Sequence, residues 1–175
     1  ETIAYDVWDN PVDYVLEEDR LADGTVDNRI RSTAGFDEHG NVLQATFEAD
    51  SGAAGADQRA TLIREVDGAG NELRTTYEED FQADGVVDTR VVDDSTRNAR
   101  GLLALEVTTY DTDADGTPDS IVRQAFSYDR RGRPVTRVLE LDSDADGTID
   151  FRELESRALD LRGELVLYRI EYDSG

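Results

Sequence analysis

SIVRQAFSYDRRGRPVTRVLELDSDADGTID, residues 120–150, is one complete unit of the repeat that determines the fold of this chain. The unit contains a nine-residue segment, a four-residue turn at 129–132, a second nine-residue segment and a nine-residue acidic loop at 142–150. Similar turns and loops recur about every 31 residues along the sequence. This periodicity indicates an array in which each unit packs against its neighbours. We therefore predict that residues 1–175 form a single array of about five and a half 31-residue units.

Two kinds of turn signal mark each repeat. The acidic loops begin at Asp19, Asp50, Asp80, Asp111 and Asp142. The tight turns begin 13 residues before each loop, at Asp37, Asp67, Asn98 and Asp129, with a glycine-free version at Asp6 and a further copy at Asp160. The segments between them are short and rich in Val, Leu, Thr, Tyr and Arg, which is typical of β-strands. Each unit is therefore predicted to be a β-hairpin, with strands of roughly 30 Å.

Charge spacing distinguishes the two architectures that fit a two-strand unit, an antiparallel meander and a parallel β-solenoid. If every hairpin pairs in register, one row across the sheet alternates acid and base. That row contains Glu17, Arg29, Glu48, Arg59, Glu78, Arg90, Thr109, Ile121, Glu140, Arg152 and Glu171. Facing opposite charges contribute roughly 0.2 to 1 kcal/mol each, whereas parallel stacking would place glutamates ~4.8 Å apart. The pattern favours an all-β antiparallel meander, elongated, curled or barrel-like, with a parallel β-solenoid as the alternative.

The same register places most apolar residues on the opposite face of the predicted sheet. One row on that face contains Leu16, Ile30, Phe47, Ala60, Tyr77, Val91, Thr108, Val122 and Leu139. Polar residues interrupt the face at Asp93, Glu106, Gln124, Arg137 and Glu155, positions that a dry core does not tolerate unpaired. We therefore expect this face of the sheet to remain partly hydrated.

Composition limits the classes of partner. The chain has 41 acidic and 18 basic residues, all of the latter arginine, for a formal charge of -23. This charge argues against nucleic acid and anionic membrane surfaces and favours cations. The chain has no cysteine, which excludes disulfides, zinc thiolates and thiol catalysis. No apolar run approaches ~20 residues, so we expect no membrane insertion.

Two acidic loops have the spacing of a calcium site. Aspartates stand at loop positions 1, 3, 5 and 9, glycine at position 6 permits a sharp turn, and the position 7 carbonyl adds an oxygen ligand suited to a hard cation. The predicted Ca²⁺ ligands are Asp111, Asp113, Asp115, Thr117 and Asp119 in one loop, and Asp142, Asp144, Asp146, Thr148 and Asp150 in the other. Asp and Gly are also ordinary turn residues, so a solvated corner is the competing interpretation.

Three further loops depart from this pattern. Loops 19–27 and 80–88 lack the acid at position 3, which predicts weaker binding or none. Their candidate ligands are Asp19, Asp23 and Asp27, and Asp80, Asp84 and Asp88. Loop 50–57 is one residue shorter and is predicted to be metal-free.

The two aspartate-rich loops resemble the calcium loops of EF-hand, dockerin and thrombospondin type 3 repeats. Residues 142–153 match the twelve-residue EF-hand loop, and the resemblance adds Glu153 at position 12 as a less certain ligand. The flanking residues 135–141 have strand composition, so the resemblance implies the cation site without the EF-hand helices.

The tight turns resemble a second family, the RHS or YD repeats, whose signature is Tyr-Asp-x-x-Gly between two strands. Residues 128–132 match it best, while Phe36-Asp37, Val66-Asp67 and Leu159-Asp160 replace the tyrosine with another apolar residue. The resemblance implies an antiparallel sheet and an extracellular or cell-surface location.

These features favour a secreted calcium-binding structural protein over an enzyme. The only histidine, His39, lies in a turn with no recognisable nucleophile beside it. Because the sequence begins within a predicted strand and stops within a predicted loop, we expect open sheet edges that pair with second copies, or with further repeats of the same chain, in a filament, stalk or surface coat. An adhesin or carbohydrate-binding repeat is the alternative. Adaptation to high salt is a competing explanation of the acidic composition.

Overall fold

The computed structural model describes residues 1–51, 57–160 and 162–174, and these form β-strands and connecting turns without a helix. The strands are β1 (Thr2–Tyr5), β2 (Pro11–Glu18), β3 (Asn28–Phe36), β4 (Val42–Asp50), β5 (Gln58–Val66), β6 (Glu72–Asp80), β7 (Thr89–Arg97), β8 (Leu103–Asp111), β9 (Ser120–Tyr128), β10 (Pro134–Asp142), β11 (Phe151–Leu159) and β12 (Leu165–Ser174). Within these described ranges, no helix is long and apolar enough to cross a membrane.

The predicted antiparallel meander is confirmed. Strand order in the sheet follows chain order from β1 to β12, and the described neighbouring strands pair antiparallel. The parallel solenoid is therefore wrong. The barrel-like form is also wrong, because β1 and β12 stand at the two ends of the strand order.

The chain divides into two compact units. Unit 1 comprises Glu1–Val91 and Thr112–Ala114, and unit 2 comprises Val92–Asp111 and Asp115–Gly175. Unit 1 contains β1 to β6, and unit 2 contains β8 to β12.

The predicted register is confirmed in the hairpins that the acidic loops close. Glu17 lies opposite Arg29, Glu48 opposite Arg59 and Glu140 opposite Arg152. The side chains form ion pairs with nitrogen to oxygen distances of 3.5, 2.9 and 3.4 Å, respectively. Because these pairs are substantially exposed, each contributes at most about 1 kcal/mol. Their main effect is on the choice of register.

The register across the tight turns differs from the prediction by two residues. Glu48 lies opposite Arg31 rather than Arg29, and Glu140 lies opposite Arg123 rather than Ile121. The turn spans five residues instead of four, since the Asp37 N–H donates to the Asn41 carbonyl, and the pairing shifts again between Gly35 and Phe36. The prediction of one continuous row of alternating charges across the sheet is therefore wrong. A shift of two leaves every side chain on its predicted face.

The described residues bury almost no apolar side chain. Ala60 is the one hydrophobic residue classed as buried in the described ranges, whereas Thr75, Asp80, Asp111, Asp142 and Glu155 are buried polar residues. The polar residues predicted to interrupt the apolar face form hydrogen bonds or ion pairs with polar neighbours. The Thr108 hydroxyl donates to Asp93, the Gln124 amide donates to Glu106, and Glu155 pairs with Arg137 and Arg157.

Each tight turn is organised by its first residue. In the turn that begins at Asp129, one carboxylate oxygen accepts the backbone N–H groups of Arg131 and Arg133. The N–H and guanidinium of Arg133 hold the pKa of Asp129 down to about 2. Gly132 adopts φ +83°, and the Arg100 guanidinium crosses it to donate to the Asp129 carbonyl at 2.9 Å.

We expect Gly132→Ala to destabilise the protein by about 1 to 2 kcal/mol, because an L-residue is strained at this φ. The added Cβ would also lie 3.1 Å from Arg100 Nη2 and disturb its contact with the next turn. Urea unfolding followed by circular dichroism measures the loss.

Gly68→Ala is the matched control, because Gly68 also lies in a tight turn but has no positive φ and no neighbour within 4 Å of an added Cβ. Its unfolding free energy should change by no more than about 0.5 kcal/mol. Equal losses in the two variants would contradict this account of the turn.

Candidate metal centre

Loop 142–150 joins β10 to β11 and is folded by its own aspartates. Gly147 donates its N–H to Asp142 Oδ2 at 3.0 Å, and Thr148 donates to Asp146 Oδ1 at 2.7 Å. Gly147 has φ +93°, which permits the sharp turn at loop position 6. Position 4 is also left-handed although it is alanine, with φ 54° at Ala145 and similar values at Ala22, Ala83 and Ala114.

Three carboxylates converge in each of the two aspartate-rich loops. One oxygen each from Asp142, Asp144 and Asp146 lies within 4.8 Å of the other two. The triplet Asp111, Asp113 and Asp115 has the same geometry. In each triplet the first aspartate is buried and the other two are exposed. Both arrangements are thus able to hold a metal ion, as the sequence predicted for these six residues.

Asp142 gives independent support for a cation. Its exposed fraction is 0 %, and its Oδ1 atom is buried with no hydrogen-bond partner, while Oδ2 accepts the Gly147 N–H. A buried polar atom without a partner costs about 1 to 3 kcal/mol, and more when it carries charge. A cation bound beside Asp144 and Asp146 would compensate both the charge and the vacant oxygen. The donor set therefore fits a metal.

In loops 19–27 and 80–88, the hydrogen bonds to the first aspartate differ from those in loop 142–150. Asp80 Oδ1 accepts the N–H groups of Gln82 and Asp84 at 3.3 and 3.1 Å, and Oδ2 accepts that of Gly85 at 2.8 Å. In loop 19–27, Asp19 accepts the N–H groups of Asp23 and Gly24 at 3.1 and 2.8 Å. Both carboxylate oxygens are therefore occupied by backbone donors.

The residue at loop position 3 accounts for this difference. In loop 142–150, the position 5 N–H, from Asp146, donates to Asp144 Oδ1 at 3.4 Å and leaves Asp142 Oδ1 unbonded. In loop 80–88, position 3 is Gln82, and the N–H of Asp84 donates to the first aspartate instead. A carboxylate at position 3 thus diverts the donor that otherwise fills the metal-facing oxygen.

The position 9 aspartates close the loops on themselves. Asp150 Oδ2 accepts the N–H and hydroxyl of Ser143 at 2.7 and 2.5 Å, and these bonds lower the pKa of Asp150. Asp27 and Asp88 accept the N–H groups of Arg20 and Phe81, both at 2.7 Å. The sequence predicts these aspartates only as metal ligands; the closure was not predicted, although the hydroxyl of Ser143 is a usable signal for it.

The other predicted site residues lie around the triplets. The N–H of Thr117 donates to Asp115, and that of Asp119 donates to the Tyr110 carbonyl. Glu153 lies on β11, where its carboxylate pairs with Arg137. For loop 50–57, Ser51 donates to Asp57 as in the other loops, but residues 52–56 lie outside the described ranges. That loop 50–57 is metal-free stays a prediction.

Comparisons with known proteins do not assign these loops to a family. No family model matches the chain, and no curated protein matches it. The candidate site therefore rests on its geometry and donor chemistry.

We expect Asp142→Asn to remove one of two metal sites, because it removes the buried charge that faces the ion. Calorimetric calcium titration should give two sites in the parent protein and one in this variant.

Asp80→Asn is the matched control, since Asp80 is also a buried first aspartate but has both oxygens bonded to backbone donors. It should still titrate two sites. If Asp142→Asn also binds two ions, the assignment of Asp142 is wrong.

We expect Gln82→Asp to create a third metal site, because a carboxylate at position 3 offers the Asp84 N–H another acceptor and frees Asp80 Oδ1. The same titration should give three sites. Gln82→Asn, which has nearly the same shape without charge, should leave the number at two. Unchanged stoichiometry in Gln82→Asp would contradict the role given to position 3.

Proposed function

We propose that this protein is a calcium-binding structural repeat protein, with Ca²⁺ held by loops 111–119 and 142–150. The observation that carries the proposal is the fully buried Asp142, whose Oδ1 has no hydrogen-bond partner within a three-carboxylate cluster. These loops offer only oxygen ligands, because they contain neither cysteine nor histidine.

Calcium suits this donor set better than other metals. Its 6 to 8 oxygen ligands, at 2.3 to 2.6 Å in flexible geometry, match a loop of carboxylates and carbonyls. Magnesium demands a near-ideal octahedron and retains several waters. The carbonyls of Thr117 and Thr148, the carboxylate of Asp119 and the Oδ1 atom of Asp150 are the proposed additional ligands. Two of the three clustered aspartates are exposed in each loop, which favours a modest affinity of the kind that extracellular calcium satisfies.

The ion would act as a clamp between strands. Loop 142–150 connects β10 to β11, so an ion bound there stabilises the hairpin that carries the Glu140–Arg152 pair. A ligand that binds only the folded form adds about 2.7 kcal/mol at 100 times its dissociation constant. This stabilisation offsets the scarcity of buried apolar residues.

We further propose an extracellular or cell-surface setting in which copies, or further repeats of the same chain, continue the sheet in a filament, stalk or coat. The edge strand β12 supports this proposal, since it exposes six large apolar side chains. They are Leu165, Val166, Leu167, Tyr168, Ile170 and Tyr172. An edge strand with such side chains is a template for another strand.

Removal of calcium should lower the melting temperature and expose loops 111–119 and 142–150 to proteases, because their carboxylates lose their counter-charge. Thermal unfolding and limited proteolysis, with and without chelator, measure the two effects. Loops 19–27 and 80–88 should be cut at unchanged rates.

Calcium titration at fixed ionic strength separates this proposal from adaptation to high salt. Specific binding predicts saturable stabilisation at constant ionic strength, whereas general screening predicts that sodium chloride of equal ionic strength has the same effect. A melting curve that chelator leaves unchanged would rule out the structural role of the ion.

A further inference from the structure

Among the tight turns whose tips the structure describes in full, the turn at residues 6–9 presents two large apolar side chains to solvent. We call Val7 and Trp8, with the flanking Asp6 and Asp9, the Trp8 tip. The exposed fractions of Val7 and Trp8 are 87 % and 65 %. At the same positions the other turns have Glu38 and His39, Gly68 and Ala69, Ala99 and Arg100, Arg130 and Arg131, and Leu161 and Arg162, of which Leu161 lies outside the described residues. An exposed tryptophan on a rigid turn is typical of an interface anchor.

Unit 2 contains an apolar notch of about 170 Å³ on the face of β9, β10 and β11. Its walls include Phe126, Pro134, Val135, Arg137, Glu155 and Arg157. The volume is several times the ~30 Å³ share of one water, so the notch has room for a large side chain.

The polar groups of the notch are complementary to the Trp8 tip. Arg137 and Arg157 line the notch together with Glu155, with which both arginines pair, whereas two aspartates flank Trp8. Arg137 also pairs with Glu153, and its buried Nε atom lies 3.4 Å from Glu155 Oε2. The Arg157 side chain is 44 % exposed, so its guanidinium is able to take a second carboxylate. The guanidinium of Arg157 already lies over the Tyr168 ring, with 5.8 Å between Cζ and the ring centroid. An incoming indole would meet apolar walls and guanidinium groups, both of which favour it.

We propose that the Trp8 tip of one copy of this chain docks into the notch of a second copy. Trp8 enters between Phe126 and Val135, and Asp9 pairs with Arg157. The tip lies in unit 1 and the notch in unit 2, so the two partners use different surfaces. Such a heterologous contact leaves one free tip and one free notch in every pair and can therefore extend into a chain. This contact needs neither calcium nor strand pairing, so it stands independently of the metal sites.

Trp8 is the sole tryptophan, which gives the contact a direct readout. With rising protein concentration, its emission should shift to the blue as sedimentation velocity shows larger species, in calcium and in chelator alike. Trp8→Ala should weaken association about thirty-fold or more, as loss of an interface anchor does. Leu21→Ala, which truncates an equally exposed apolar side chain in a loop, is the control and should change nothing.

A charge exchange tests the polar groups of the notch. Because Arg157→Glu also removes the pair with Glu155, restored association in the mixture is the decisive result. Arg157→Glu should abolish association with the parent protein, and a mixture of Arg157→Glu with Asp9→Arg should restore it. Any one of the following outcomes overturns the proposal: a monomer at all concentrations, association that survives Trp8→Ala, or association that is indifferent to Arg157→Glu. A blue shift that does not depend on concentration would place Trp8 within its own chain and also overturn it.

Discussion

The sheet must be stable without a buried apolar core, and this constraint governs most of its structure. Among the described residues, Ala60 is the one buried hydrophobic side chain, and the other buried side chains are polar or charged. Each buried polar group therefore needs a partner within the sheet or the turns. Glu155 finds two arginines, and Asp93 finds the hydroxyl of Thr108. Pairing of polar groups replaces much of the packing that stabilises a two-layered domain.

Both classes of turn meet this constraint in the same way, with an aspartate at the first position, or with Asn98 in one tight turn. Asp129 collects backbone N–H groups in a tight turn, and Asp80 does so in an acidic loop. In each case the carboxylate replaces the strand partner that the backbone has lost at the turn. Asp142 departs from this pattern because its Oδ1 receives no donor. The residue at loop position 3, Gln82 or Asp144, thus goes with the difference between a loop whose first aspartate is fully bonded and one that has a carboxylate oxygen available to a cation.

The sequence predicts the strands, the direction of pairing and the faces, because hairpin length and alternation depend on local patterns. The charge pairs between Glu17 and Arg29 and between Glu140 and Arg152 were predictable for the same reason. The register across the tight turns was not predictable, because an additional turn residue and a bulge shift the pairing without a signal in the residue types. The closure of the loop by position 9 was not predicted, because an aspartate that accepts from Ser143 and one that binds a metal have the same spacing. The buried Oδ1 of Asp142 without a hydrogen-bond partner, which distinguishes its loop from loop 80–88, exists only after the strands have paired.

The left-handed alanines at loop position 4 have a consequence for how freely the repeat can change. Each of Ala22, Ala83, Ala114 and Ala145 has a backbone conformation that costs an L-residue about 1 to 2 kcal/mol. β-Branched side chains are the most strained in that region of dihedral space, so substitutions at this site are restricted to very small residues or to asparagine and aspartate. The strain is confined to the loops, away from the hydrogen-bonded ladder, and repeats can be duplicated without disturbing the strands. Glycine at these four sites would be a simple route to a sturdier engineered array.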